Sequence, residues 1–442
     1  MPQKFIPKCE HISVCSSCSS HAIVAGFKRP SKGQRLAATK ADNQEFLKED
    51  RLFLEEDTSA FPAPLLLPGD DLAGDPEDAQ SLQEWLDGED RNPVTAQRKT
   101  IYVVPSPRID SSVDFMEGWT TPKCPDNPDQ PKPPTAKDVR DYLAAFYHGL
   151  PVKAMPSSTL RFVPWEEPKK KSRTKSGPQY LGLNIGDECV RIRARTLPHG
   201  EYGGQVNLDD LLDAAISLLP NDAYALIMLV DFDLYEDEED EFVCGRAYGG
   251  SRVAVVSSAR YNPALDDIQE IEHAHAWPAS HCEKFMSECA SAESSAKRQK
   301  KSSVNSRTTA KLSLEVEGPL RKAVSFYRSL PDIESSPSLL SALWLGRVCR
   351  TASHELGHCF GIEHCVYYAC SMQGTVSICE DARQPPYLCP VDLAKVLCAT
   401  SASALRRYQA LLAFCERPGN RDTHFFGPFA TWIRGRLDQI ES

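Results

Sequence analysis

No stretch of this 442-residue chain approaches the ~18 uninterrupted apolar residues that a membrane helix needs. Its opening, MPQKFIPKCEHISVCSSC, lacks the apolar core of an export signal. An excess of positive charge is also missing: 50 Lys and Arg stand against 61 Asp and Glu, a net charge of −11. That argues against bulk nucleic-acid binding through charge. With 41% hydrophobic and 25% charged residues, the chain is neither wholly disordered nor fibrous. The expectation is therefore a protein of the cytoplasm, the nucleus or both, with neither membrane nor nucleic acid as partner.

Sixteen cysteines are present. Without an export signal they do not read as a disulfide framework, which leaves reduced thiols that are buried, reactive or metal-bound. Six of them fall between Cys349 and Cys389, beside three of the eleven histidines.

The length suggests about three domains at ~150 residues each, and the pattern along the chain refines this. Residues 1–98 mix a Cys-containing head, a short charged amphipathic stretch and an acidic run, with no period that would build a core. From residue 100 the signals are those of an α/β sheet layered with helices. Residues 101–105 and 190–194 read as strands, 137–147 as a helix, and 208–219 as a helix capped by Asn207. The apolar run 224–230 reads as a strand buried on both faces, with another strand at 252–257. Residues 292–311 are a Ser/Lys/Arg tract read as a mobile insertion, and its Lys297–Lys301 run as an ordinary basic segment. Three helical segments follow residue 391.

The chemistry lies at 336–364. Ser336 and Pro337 are an N-cap and an N1 proline, and the apolar residues that follow mark a buried helix. That helix runs into His354-Glu-Leu-Gly-His358, then Gly361 and His364. His354 and His358, four apart, share one helical face. Gly361 can take the left-handed turn that ends the helix, so that His364 arrives as a third nitrogen ligand. Three neutral imidazoles with an open fourth position are what a catalytic zinc requires. Glu355, beside the first histidine, is placed to act as general base toward a zinc-bound water. The five fixed positions of HExxHxxGxxH have a chance expectation of about one in 40,000 in a chain of this composition.

Directly after His364 come Cys365, Cys370, Met372, Cys379, Cys389 and Asp392. Here the sequence resembles the archaemetzincins, a branch of the metzincin zinc metallopeptidases. The resemblance implies a zincin-like α/β (α+β) fold: a twisted mixed sheet, an active-site helix and a helical C-terminal subdomain. Residues 99–400 would form the catalytic domain, with an insertion at about 264–335, an irregular or partly disordered region at 1–98, and C-terminal helices at 401–442 packed on the domain. It also implies a Met-turn at Met372 and a second, structural zinc on four cysteines. Cys365, Cys370 and Cys389 match three of these, but Asp392 stands where the fourth belongs. Carboxylate is a legitimate zinc ligand, so Asp392 is the favoured fourth donor. Cys379 or Cys398 are alternatives, as is a weak or absent second zinc.

Other features carry less. Cys9, His11, Cys15, Cys18 and His21 hold enough donors for a zinc knuckle, but without a downstream partner pair they read as incidental. The acidic segment 231–241 lacks calcium-loop spacing and reads as a solvated turn. His273 and His275, two apart, read as non-ligands. The functional expectation is a zinc-dependent hydrolase of peptide or protein substrates, described for the family as an aminopeptidase or a peptidase of restricted specificity. The alternatives are a catalytically silent zinc-binding scaffold and a nuclear interaction protein. Oligomeric state is not legible.

Overall fold

Period-two and continuous apolar segments become eleven strands among the described residues. They are β1 (Thr100–Val104), β2 (Arg108–Ile109), β3 (Val152–Ala154), β4 (Leu160–Pro164), β5 (Gln179–Ile185), β6 (Glu188–Thr196), β7 (Gly204–Asn207), β8 (Ala223–Val230), β9 (Asp233–Tyr235), β10 (Gly245–Tyr248) and β11 (Val253–Ser257). The computed structural model describes residues 9, 11, 13–70, 78–89, 91–124, 130–156, 158–165, 179–289 and 318–441. The tract 292–311, read from sequence as a mobile insertion with an ordinary basic run at 297–301, lies outside them.

The architecture is mixed α/β, but the strands divide between two mixed sheets rather than forming one. The first has the order β10-β11-β8-β1-β3, the second β2-β4-β5-β6-β7-β9. In the first sheet β8 runs parallel to β1 and to β11, while β10 pairs antiparallel to β11 at the edge. All eight residues of β8 are buried, as its unbroken apolar run requires of a strand covered on both faces. Leu226, Met228 and Val230 face one core, with Leu208, Leu211 and Leu212 of the helix Leu208–Leu218. Ala225, Ile227 and Leu229 face the other, with Val348, Ala352 and Leu356 of the helix Pro337–Cys359.

Capping follows the sequence. The Asn207 side chain accepts the Asp210 N–H at 3.1 Å. Thr135 accepts from Asp138 at 3.2 Å and starts the helix Ala136–Phe146. That helix lays Tyr142, Leu143 and Phe146 against the long helix, and the Tyr147 hydroxyl donates to the Ser353 carbonyl at 2.6 Å. The C-terminal helices Pro390–Thr400, Ala404–Cys415 and Phe426–Glu441 close this core. Trp432 stacks on Tyr387 with ring centroids 4.2 Å apart.

Residues 1–98 differ from the sequence reading. Their described part forms only short helices, yet Phe53, Phe61 and Trp85 lie fully inside the main core. Burying each contributes roughly 1.5–3 kcal/mol. Helical periodicity did not reveal this because the buried residues come from irregular chain and from helices of five to seven residues.

Candidate functional site

Ser336 caps the long helix by accepting the Ser338 N–H at 3.3 Å, with Pro337 at its first turn. At the other end Gly361 takes φ +74°. The Gly361 N–H donates to the His358 carbonyl at 2.9 Å and the Ile362 N–H to the Gly357 carbonyl at 3.1 Å, the paired bonds of a Schellman ending. The remaining terminal carbonyls also find donors. Trp85 Nε1 donates to Phe360 at 2.9 Å, Gln80 Nε2 to Gly361 at 3.1 Å, and Tyr224 Oη to Cys359 at 3.2 Å. The N-terminal region therefore braces the turn that brings His364 back.

This turn brings the three predicted histidines together. Ligand atoms of His354, His358 and His364 lie within 4.8 Å of one another. The Nδ1 of His354 is 2.6 Å from the Ser371 carbonyl and that of His358 is 2.8 Å from the Ile362 carbonyl. Carbonyls only accept, so both Nδ1 atoms carry protons, and each ring in its neutral form turns a lone pair outward at Nε2. Those two Nε2 atoms face each other at 3.1 Å. Two opposed lone pairs at that separation call for a cation between them. Burial, with His358 and His364 beside it, holds His354 well below the usual histidine range, which disfavours a proton in that role. Zn–N bonds of ~2.0–2.1 Å fit the spacing.

Met372 packs beneath. A Cβ on Gly357 would lie 2.5 Å from Met372 Sδ, so the glycine between the two helical histidines is what lets the methionine approach. The Cys365 N–H donates to the Met372 carbonyl at 2.8 Å, and the neighbouring Ser371 carbonyl is the one that orients His354. Glu355 is 8% exposed. Burial pushes its carboxyl up to about 7, with Asp381 adding to the rise and His364 and Arg246 opposing it. The histidines and Glu355 line a cavity of about 650 Å³, whose other wall includes Gly245, Arg246 and Ala247 of the edge strand β10 and residues Thr375 to Ile378.

A second group gathers Cys365, Cys370, Cys389 and Asp392, all buried. Cys365 Sγ is 3.5 Å from Cys389 Sγ, and Asp392 Oδ2 is 3.3 Å from both Cys370 Sγ and Cys389 Sγ. The other oxygen, Oδ1, accepts from Lys395 Nζ at 3.0 Å, and Lys395 also reaches Gln80 Oε1 at 2.9 Å. Burial and Cys365 push the Asp392 carboxyl up to about 7 against the pull of Lys395. Cys379 and Cys398 are not in this group; Cys379 Sγ donates to the Gln269 carbonyl at 3.2 Å. The sequence reading missed Lys395 and Gln80, although Lys395 stands one helical turn beyond Asp392.

A third group among the described residues was not expected. Cys9 and His11 meet His275 and Cys282, so His275, read as a non-ligand, joins a donor cluster. Cys15, Cys18 and His21 do not join it.

Comparison with known proteins places residues 338–396 in a match to Peptidase family M54. Archaemetzincin-2 of Pongo abelii is 24% identical over 355 residues, covering 80% of this chain and 74% of that protein. Archaemetzincin-2 of Homo sapiens matches at the same identity and coverage. The crystal structure of archaemetzincin from Methanopyrus kandleri aligns with 16% identity and a TM-score of 0.29, covering 68% of this chain and 95% of that one.

Proposed function

We propose, from the premise that the chain belongs to the archaemetzincin family of zinc metallopeptidases, that His354, His358 and His364 hold the catalytic zinc. In the same reading Glu355 carries the proton during peptide hydrolysis. The observation that carries it is the 3.1 Å approach of two Nε2 lone pairs whose rings are each fixed through Nδ1 by a carbonyl. When bound there, zinc supplies Lewis acidity toward water and the scissile carbonyl.

The chain's own residues account for the rest. Glu355, with a carboxyl poised at about 7, takes the proton of the attacking water and delivers it to the leaving amine. The unpaired edge of β10 offers backbone N–H and C=O groups to an extended peptide laid along the cavity. Ser371 and Ile362 fix the histidine rings from behind, as outer-shell acceptors do in zinc sites. An aminopeptidase must also hold its substrate's free amine. Asp381 is the lining carboxylate other than Glu355, and its charge is already shared with Arg350. The supported reading is therefore hydrolysis of peptide bonds, without restriction to a free N-terminus.

In this proposal Cys365, Cys370, Cys389 and Asp392 would hold a second zinc, with Oδ2 of Asp392 facing the thiols and Lys395 compensating charge at Oδ1. The test of the catalytic reading is metal analysis together with a peptide-library assay on wild type and Glu355→Gln. Zinc content should be unchanged and cleavage should fall by about 10²–10⁴-fold. Cleavage unaffected by the substitution, or a folded protein without zinc at the histidines, overturns the reading. Comparing each cleaved peptide with its N-acetylated form then separates aminopeptidase from endopeptidase action.

A further inference from the structure

We propose that Cys9, His11, His275 and Cys282 form a further zinc site, one that fastens the N-terminal segment to the body of the protein. The residues are 273 positions apart at their extremes, and Sγ of Cys9 lies 3.3 Å from Sγ of Cys282. One donor atom from each of the four falls within 4.8 Å of the others. This is a two-thiolate, two-imidazole set, the composition of closed structural zinc sites.

Two observations independent of the clustering point to a ligand. His275 Nδ1 is 2.7 Å from Glu272 Oε1, leaving Nε2 as the free coordinating atom, and that Nε2 is buried without a hydrogen-bond partner. His11 Nδ1 is likewise buried without one. Leaving such nitrogens unmatched costs about 1–3 kcal/mol each, and a shared metal answers both. Glu272 plays the part of the outer carboxylate that fixes a metal-binding histidine's tautomer. The site is also dry on its inner side. His275 is 4% and Cys282 2% exposed, and the Phe285 ring stacks on His275 at 4.0 Å.

The backbone delivers the donors. The Cys15 N–H donates to the His281 carbonyl at 2.8 Å and the Glu283 N–H to the Ser13 carbonyl at 3.1 Å. This short antiparallel clip sets Cys9 and His11 over the turn His273–His275. A disulfide is the other chemistry open to the thiols, but it requires about 2.05 Å between sulfurs and leaves both histidine nitrogens unanswered. Fastening a segment across so long a loop removes much conformational freedom from the unfolded chain. The site is separate from the histidine and Cys365 groups, so it stands or falls independently of the catalytic proposal.

The test compares zinc per chain, by elemental analysis, in full-length wild type, Cys9→Ser, His11→Ala and Glu355→Gln purified under reductant. Cys9→Ser and His11→Ala should each lose about one zinc relative to wild type, and Glu355→Gln none. Because only differences are read, metal at the other sites cancels. Cobalt exchanged into wild type should give a thiolate charge-transfer absorption that is weakened in Cys9→Ser. Limited proteolysis should also cut that variant faster in residues 9–21. Unchanged zinc in both variants, or a Cys9–Cys282 disulfide in reduced wild-type protein, overturns the proposal. Should either variant fail to fold, the cobalt spectrum of wild type with and without selective alkylation of Cys9 decides in its place: an absorption that alkylation leaves unchanged also overturns it.

Discussion

Replacing Asp392 by Ala tests the least conventional feature of this molecule, a carboxylate among three thiols. Asp392 and Lys395 are each 1% exposed, and the carboxylate and ammonium stand 3.0 Å apart. At an effective dielectric of ~20, two such charges attract by roughly 5 kcal/mol before desolvation is counted. Removing one partner of a buried pair costs about 3–5 kcal/mol, because the other charge is left without an answer. Gln80 still accepts from Lys395, so the lower half of that range is expected. In a chain this long, 1 kcal/mol moves the melting temperature by roughly 1 °C. Calorimetry on Asp392→Ala should therefore show a fall of about 3–4 °C, and elemental analysis the loss of about one zinc. Adding Lys395→Met should recover part of the stability but none of the zinc. Asp392→Cys should keep the zinc while leaving Lys395 without its carboxylate. Wild-type zinc content in Asp392→Ala refutes ligation and reduces Asp392 to a counter-ion for Lys395. An unchanged melting temperature refutes the buried pair.

Gly357→Ala should lose about 1–3 kcal/mol and weaken zinc binding, because its methyl would enter 2.5 Å from Met372 Sδ and displace the turn that holds His354; isothermal titration with zinc and denaturant unfolding read both, and wild-type values would refute the packing account. Trp85→Phe should cost about 1–2 kcal/mol by leaving the Phe360 carbonyl unmatched, measured by urea unfolding; no loss would show that water replaces the indole. Asp266 binds Arg347 through both oxygens at 2.7 and 2.9 Å. Burial alone would raise its carboxyl, but Arg347 and His273 hold it below the usual aspartate value. A lowered folded-state value stabilises above ~3.9 and fades as pH falls through the folded value. Asp266→Asn should therefore be less stable than wild type at neutral pH by about 3–5 kcal/mol, with the gap closing under acid; a gap independent of pH in matched urea titrations would refute the assignment.

Much of the architecture was readable because local signals agreed with one another. Asn207 and Ser336 cap the helices their positions foretold, and the apolar run 224–230 is the doubly covered strand it resembled. The histidine site was legible for a geometric reason. Two of its members share one helical face and the third follows a glycine that must turn, so three imidazoles gather within eleven residues. What was missed involves partners distant in sequence or segments without a period. Phe53 and Trp85 reach the core from helices of only six residues, and Phe61 from irregular chain. The two sheets share no periodic marker that would separate them.

By itself the sequence determined the long helix with its two histidines and Glu355 and the glycine turn that returns His364, because each depends on spacings of a few residues along a regular backbone, and it marked Asp392 as the irregular member beside the cysteines. Only the tertiary structure decided that Cys379 and Cys398 stand apart from the Cys365, Cys370, Cys389 and Asp392 group, that Lys395 and Gln80 stand behind it, and that Cys9 and His11 meet His275 and Cys282. Those contacts depend on where packing and a short β-clip bring distant backbone segments together, and no local spacing records that.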